Sequence, residues 1–393
     1  MTDKTPAPPH PTPPPHSTWY ARTGALSWRC APAPAGVRDF HAALPGYAPT
    51  PLIELPSLAA ELRVGRVFVK DESDRLGLPA FKVLGVAWAV DRLLAAAAPD
   101  RQPEAGRAER TAPEPEPEPL TLVTATDGNH GRALARTARL RGQRAHVHVP
   151  DGVHPAAAEA IAAEGARVTR VPGSYDDAVR AARRAARAPG AVLVQDTGWP
   201  GYERVPGWIV EGYATLCAEV DEQLSAAGSA PPGLVAVPVG VGSLAQAVVT
   251  HYRSRPAGSP PPALLAVEPD TAACVLRGLA AGAPVTVPTG RTTMAGLNCG
   301  TPSTLAWPFL RDGLDAAVAV SDASAARAAR DLAALGVAAG PCGAAPLAGV
   351  RAALTGDGAD GRRTVLGLGP DATVVLLSTE GAAANPHATD PPR

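Results

Sequence analysis

Strand-like apolar runs alternate along this chain with alanine-rich stretches of helical length, and that alternation restricts the fold more than any other feature. The run RVFVK (66–70) comes before a helical stretch from Ala80 to Ala97, TLVTAT (121–126) before one from Gly131 to Arg141, and AHVHVP (145–150) before one from Pro155 to Glu164. Further on, RVTRVP (167–172) precedes Tyr175 to Arg187, and AVLVQD (191–196) precedes a helix from Pro206 to Ser225. LVAVPV (234–239) leads into a helix through His251, and LLAVE (264–268) into another around Ala272 to Ala281. Parallel neighbouring strands need a crossover between them, so the pattern predicts α/β architecture with parallel sheets. At 393 residues the chain is too long for one ordinary core and suits two domains.

Hydrophobic residues make up 46% and charged residues 19%, which fits a soluble globular protein. A net charge of -1 gives no electrostatic reason to expect nucleic acid or an anionic membrane as partner, so small molecules are expected instead. The most membrane-like stretch, Leu234 to Thr250, is broken by Pro238, Gly240 and Gly242 and reads as strand, loop and helix. Residues 1–17 are proline-rich without a signal-peptide apolar run, so they are set aside from the fold and a cytoplasmic location is expected. Five cysteines form no CxxC pair and are expected as thiols. No metal site is expected: the histidines are scattered, and His146 and His148 merely share one face of a strand. Residues 99–119 and 386–393 read as solvated low-complexity segments, and Gly356 to Arg363 as a turn or loop.

Beyond the proline-rich start the chain has two lysines, Lys70 and Lys82, among a large excess of arginine. Lys82 lies between Phe81 and Val83-Leu84, and apolar surroundings lower an amine's affinity for its proton. An amine of that kind can attack a carbonyl and form a Schiff base. The plain alternative is a lysine whose stem lies along an apolar helix start.

Three turns follow strands and carry polar chemistry. In the first, Thr126-Asp127-Gly128-Asn129-His130 opens a helix, where free N–H groups favour an anion. Asp127 is out of place among them unless it acts on a cationic part of the ligand or simply caps the helix. In the second, Gly240-Val241-Gly242-Ser243-Leu244 can approach a phosphate through its backbone. With Ala245 and the distant Glu268 it also matches a dinucleotide-binding pattern, although no constellation for hydride transfer accompanies it. The third, Ser378-Thr379-Glu380-Gly381, ends the last strand, where hydroxyls face the ligand crevice of an open α/β sheet or form a local turn.

Taken together and in this order, these segments resemble the fold-type II pyridoxal-phosphate enzymes of the tryptophan synthase beta-like superfamily, and more narrowly the diaminopropionate ammonia-lyase family. The resemblance spans most of residues 46–385 and is carried by KDESDRLGLPAFKVLG, TATDGNHGRA, VQDTGWPGYERVPGWIVEGY, GVGSLAQAVV, VEPDTAACVLRGLAAG, TTMAGLNCGTPSTLAWPFLRDG and LSTEG. Dehydratases of the same architecture usually have a serine two positions before the lysine and an arginine two after it; here those positions hold Ala80 and Leu84.

The resemblance implies two open parallel-sheet α/β domains with pyridoxal 5'-phosphate in the cleft between them. Residues 18–82 with 192–385 would form the large domain and 83–191 the small one. Lys82 would hold the cofactor covalently, with Phe81 beside it, and serve as base toward the L-isomer. Asn129 would meet the phenolic oxygen and Gly240 to Leu244 the phosphate. Thr379, with Ser378 as rival, would face the ring nitrogen, and a neutral hydroxyl there favours β-elimination over transamination. Asp127 would abstract the Cα proton of the D-isomer, and Asp196 would stand near the substrate amine. Thr126, Gly128 and His130 would complete the substrate site.

Two acids beside a cation suit a diamine better than serine. The implied reaction converts 2,3-diaminopropionate to pyruvate and ammonia in a homodimer. Dehydration or β-replacement on serine-like amino acids is the second reading, and a non-catalytic ligand-binding protein the third. Pro341 and Cys342 stand where relatives commonly carry an acid and a serine, a departure that bears on the pocket wall. Cys274 and Cys299 fall in segments expected near one another at the mouth of the site.

Overall fold

A computed structural model describes residues 18–22, 25–97, 118–256 and 260–384. The proline-rich start, residues 99–117 of the expected insertion and the final segment lie outside the described residues. The strands are β1 (Trp19–Ala21), β2 (Leu52–Glu54), β3 (Arg66–Asp71), β4 (Thr121–Ala125), β5 (Arg144–Pro150) and β6 (Arg167–Val171). They continue with β7 (Ala191–Leu193), β8 (Leu234–Pro238), β9 (Ala263–Pro269), β10 (Ala316–Val320) and β11 (Thr373–Ser378).

Seven strands form one sheet in the order β1-β10-β9-β8-β11-β3-β2, and four form a second in the order β6-β5-β4-β7. All pairs of the smaller sheet are parallel, as are the five central strands of the larger. Its edges, β1 and β2, are three-residue strands paired antiparallel, short enough to offer little template for a foreign strand. Strands β8 and β11 are buried on both faces, which is why LVAVP and TVVLLS read as unbroken apolar runs rather than alternating ones.

Three departures from the sequence reading have local causes. The helix expected from Ala80 begins at Val83, because Phe81 N–H donates to the Thr379 carbonyl and keeps the segment before it extended. The single helix expected over Pro206 to Ser225 is two, Arg204–Gly212 and Ala214–Ala226, meeting at Tyr213. Gly212 packs against the backbone of Leu84 and Gly85, and an added Cβ there would lie 2.6 Å from the Leu84 carbonyl. The turn or loop expected at Gly356 to Arg363 contains the start of a helix, Ala359–Leu366, bounded by Gly358 and Gly367 in left-handed conformation.

In parallel sheets the strand ends that receive ligands are the carboxyl ends. The Lys82 segment follows β3, the Gly240 loop follows β8 and Thr379 follows β11, and these three strands are adjacent in the order β8-β11-β3. In the smaller sheet, Asp127 follows β4 and Asp196 follows its neighbour β7.

Beneath the lysine segment lies a buried, charge-balanced cluster. Lys70 Nζ donates to Glu219 Oε2 at 2.6 Å, to Gln223 Oε1 at 2.8 Å and to the Thr50 backbone carbonyl at 2.8 Å. Arg75 reaches both Glu219 and Glu72 at 2.6 Å. Two cations and two carboxylates thereby tie residues 70–75 to the helix Ala214–Ala226. Removing one partner of a buried pair leaves a charge without compensation and costs about 3–5 kcal/mol. Glu219→Ala is therefore expected to lower unfolding stability by about that amount in urea titration; a loss below about 1 kcal/mol would mean that the cluster is stabilised otherwise.

Candidate active site

Between the facing strand ends lies one cavity lined by Phe81, Lys82, Thr126 to His130, Asp196, Gly240 to Leu244 and Thr379. These are the sequence-predicted site residues with one exception. Ser378 is fully buried at the end of β11 and its hydroxyl finds no partner, so of the two rival hydroxyls only Thr379 reaches the cavity.

Lys82 is the available amine. Lys70 has all three of its donors occupied and no exposure, whereas Lys82 Nζ lies on the cavity wall, 5.4 Å from the Phe81 ring centre. Its proton affinity differs from the expectation based on its apolar neighbours in sequence. Burial disfavours the ammonium, but Asp196 Oδ2 at 2.6 Å outweighs burial and raises the lysine above its ordinary value. The partner responsible comes from 114 residues away.

Asp196 is buried, which by itself would raise its carboxyl, yet the Lys82 charge holds it well below the usual range. His130 Nε2 lies 2.9 Å from the Val194 carbonyl, an acceptor only, so Nε2 carries the proton. Burial keeps the ring neutral, leaving the Nδ1 lone pair 3.7 Å from Asp196 Oδ2. Two acceptors thus converge where a cation or hydrogen-bond donor is favoured.

Asp127 is half-buried on the same cavity. Burial, reinforced by the Asp196 charge and opposed by Lys82, pushes its carboxyl up to about 7. The helix-cap reading of this residue does not hold: the helix Asn129–Leu140 has Gly128 at its N-cap and no side-chain cap. Thr126 fixes the turn instead, its hydroxyl accepting from Gly128 N–H at 3.0 Å and Gly131 N–H at 3.1 Å.

The Gly240 loop is a cradle with little room for side chains. Gly242 has φ 98°, and an added Cβ would lie 2.5 Å from Leu310 Cδ1. A Cβ on Gly240 would lie 3.0 Å from the Gly296 carbonyl. Ser243 starts the helix Ser243–Arg253 and donates its hydroxyl to the Asp196 carbonyl at 2.5 Å. Among the described residues, no acceptor is found for the backbone N–H groups of Gly240 through Leu244. Glu268, the acid of the competing dinucleotide pattern, is buried and accepts from Val275 and Leu276 N–H at 2.8 and 2.7 Å. It caps the next helix and cannot reach a ribose.

Glu380 and Tyr175, which the sequence reading gave no site role, line the cavity, as do Cys342, expected at the pocket wall, and Cys299, expected at its mouth. Tyr175 is placed by Gln195 Nε2, which donates to its hydroxyl at 2.7 Å, while Gln195 Oε1 accepts from Ala125 N–H at the end of β4. Cys274 and Cys299 flank Gly240 and are free thiols: the Cys274 sulfur is 3.8 Å from the Gly240 carbonyl, and Cys299 Sγ is 3.1 Å from a Cβ built on Gly240.

The model of a family described as "Pyridoxal-phosphate dependent enzyme" matches residues 43–369. The diaminopropionate ammonia-lyase of Salmonella typhimurium is 39% identical over 317 residues, covering 79% of this chain and 78% of that protein. The Escherichia coli K12 enzyme of the same name is 36% identical over 358 residues, covering 88% and 87%. Among solved structures, the Escherichia coli diaminopropionate ammonia lyase in complex with an aminoacrylate-PLP azomethine reaction intermediate superposes with a TM-score of 0.79. That match has 35% identity and covers 90% of this chain and 89% of the other.

Proposed function

Because the chain belongs to the pyridoxal-phosphate-dependent enzymes, and within them to the diaminopropionate ammonia-lyase family, we propose that it converts 2,3-diaminopropionate and water to pyruvate and two molecules of ammonia. The observation that carries this reading is the convergence of Asp127 and Asp196 on Lys82 in one cavity. A substrate with a second ammonium at Cβ meets two acids there, and serine would leave one without a partner.

The residues present fit pyridoxal phosphate. Gly240 to Leu244 offer free N–H groups at a helix N-terminus for the phosphate, in a cradle that a side chain on Gly240 or Gly242 would crowd. Lys82 supplies the amine, Asn129 an amide for the phenolic oxygen, and Thr379 a hydroxyl for the ring nitrogen. When bound, the cofactor supplies an electron-withdrawing ring that spreads the negative charge left on Cα.

In the protein alone, Lys82 holds its proton against Asp196 Oδ2. Once the lysine nitrogen is committed to the cofactor, Asp196 loses that cation, and the substrate's β-ammonium has the charge to replace it, with His130 Nδ1 as a second acceptor. An amine leaves readily only when protonated, so a site that keeps the β-nitrogen protonated also favours its departure. Asp127, held near neutrality, is matched to removing a proton from one face of Cα, and Lys82 to the other.

Purified protein with pyridoxal phosphate, offered D- and L-diaminopropionate, serine and threonine, should release pyruvate and ammonia in a one-to-two ratio from at least one diaminopropionate isomer. Faster turnover of serine or threonine would point to a dehydratase. Formation of a new β-substituted amino acid in the presence of an added nucleophile would favour β-replacement, and binding of cofactor without turnover of any amino acid would favour the non-catalytic reading. We extend the proposal, on the resemblance alone, to a cytoplasmic homodimer built from residues 18–82 with 192–385 as the larger domain and 83–191 as the smaller. Among the described residues, no helix is long and apolar enough to cross a membrane.

A further inference from the structure

We propose that Glu380 is a positioning residue whose carboxylate fixes which end of the Asn129 amide is turned toward the cofactor. The two ends of an asparagine amide have nearly the same shape and opposite hydrogen-bonding character. Burial raises the Glu380 carboxyl, while the hydrogen bonds from Cys342 and Asn129 favour its ionised form. An ionised carboxylate only accepts and therefore selects the orientation. Glu380 Oε2 accepts from Asn129 Nδ2 at 2.6 Å, and with the amide reversed two oxygens would face each other across that distance. The NH2 group carries a second hydrogen, which remains available on a residue lining the cavity.

Glu380 is itself held from several sides. Its Oε1 accepts from Cys342 N–H at 3.1 Å in the first turn of the helix Pro341–Leu354, where Pro341 has no N–H to offer. A carboxylate at a helix N-terminus is favourably placed. The Glu380 carbonyl accepts from Gly340 N–H at 2.9 Å, and the neighbouring Gly381 N–H donates to the Pro79 carbonyl at 3.0 Å. Gly343 permits this approach, since a Cβ there would lie 2.4 Å from the Glu380 carbonyl oxygen. The segment 378–381 is thus stitched between the strand end that carries Lys82 and the helix that starts at Pro341. The carboxylate has little freedom to follow a rotating amide.

The inference rests on Asn129 as the contact for the cofactor's phenolic oxygen. That oxygen is anionic when the ring is conjugated to a protonated imine nitrogen, so an N–H facing it is favourable and a carbonyl facing it is not. The test compares cofactor-loaded Glu380→Gln, Asn129→Ala and the double variant, measuring the cofactor dissociation constant and the pH-dependent ratio of the two visible absorption bands. Gln can present NH2 to the Asn129 carbonyl and so permits the reversed amide. It should weaken cofactor binding by roughly tenfold, the scale of one hydrogen bond to a charged group, and shift the band ratio.

Asn129→Ala should do the same, and the double variant should be no worse than Asn129→Ala alone, because the clamp has nothing left to orient. If Glu380→Gln does not fold, Glu380→Asp, which keeps the charge and withdraws it from the amide, enters the same cycle. A silent Glu380→Gln, or effects of the two substitutions that multiply, would overturn the clamp. If Asn129→Ala is silent, the underlying contact fails and the clamp with it. Neither measurement uses a substrate, so failure of the proposed reaction would be seen separately.

Discussion

Lys82→Ala is expected to abolish turnover of every amino acid and to remove the borohydride-reducible visible chromophore that forms with pyridoxal phosphate. The expectation follows from elimination among amines. The chain has three lysines, Lys4, Lys70 and Lys82. Lys4 lies outside the described residues, and Lys70 is fully buried with its three donors occupied, so Lys82 is the side-chain amine on the cavity. Arginine cannot replace it, because guanidinium keeps its proton. Loss of a positioned base alone costs about 10²- to 10⁴-fold in rate, and here the covalent link is lost as well.

The substitution should also change the protein without cofactor. Asp196 is held ionised chiefly by Lys82, so its carboxyl should rise toward the ordinary range or above once the ammonium is gone. Reduction with borohydride followed by peptide mapping gives the decisive measurement. Cofactor found attached to Lys70 or Lys4 in the wild-type protein would sink the assignment.

The parts of this molecule legible in the sequence are those whose chemistry is local. The turns after β4 and β8 are short runs between a strand and a helix, and the one after β11 directly ends a strand, so their residue types betray them without knowledge of what packs above. What the sequence hid depends on partners brought from far away. The charge state of Lys82 is set by Asp196, 114 residues on, and the site of Glu380 by Asn129, 251 residues back. Neither separation leaves a pattern in a single chain.

The rivalry between Ser378 and Thr379 was undecidable for a related reason. Alternation along a strand identifies an inward face only when one face is solvated, and β11 is buried on both. The helix Ala359–Leu366 was hidden by composition, since Gly361, the flanking glycines and the charges read as a loop and only Leu366 among its residues is buried.

Asp127→Asn should cost turnover of D-diaminopropionate about 10²- to 10⁴-fold while reducing turnover of the L-isomer far less. The two isomers present the Cα proton on opposite faces, and the proposed assignment gives each its own base, Asp127 for one and Lys82 for the other. Asparagine keeps the size and polarity of the side chain and removes its ability to accept a proton. Helix capping cannot confuse the outcome, because the helix Asn129–Leu140 takes no side-chain cap. The pH dependence gives a second signature whose sign is fixed: only the ionised carboxylate can act as base, so the D-isomer rate should rise with pH through the Asp127 titration. Burial and the Asp196 charge place that titration at about 7, above the ordinary carboxylate range, and the same limb should vanish in the variant. The measurement is kcat/KM for each isomer across pH 5 to 9, in wild type and variant. Equal losses on both isomers, or a D-isomer limb that survives the substitution, would remove Asp127 as a base and leave the second face of Cα without an assigned acceptor.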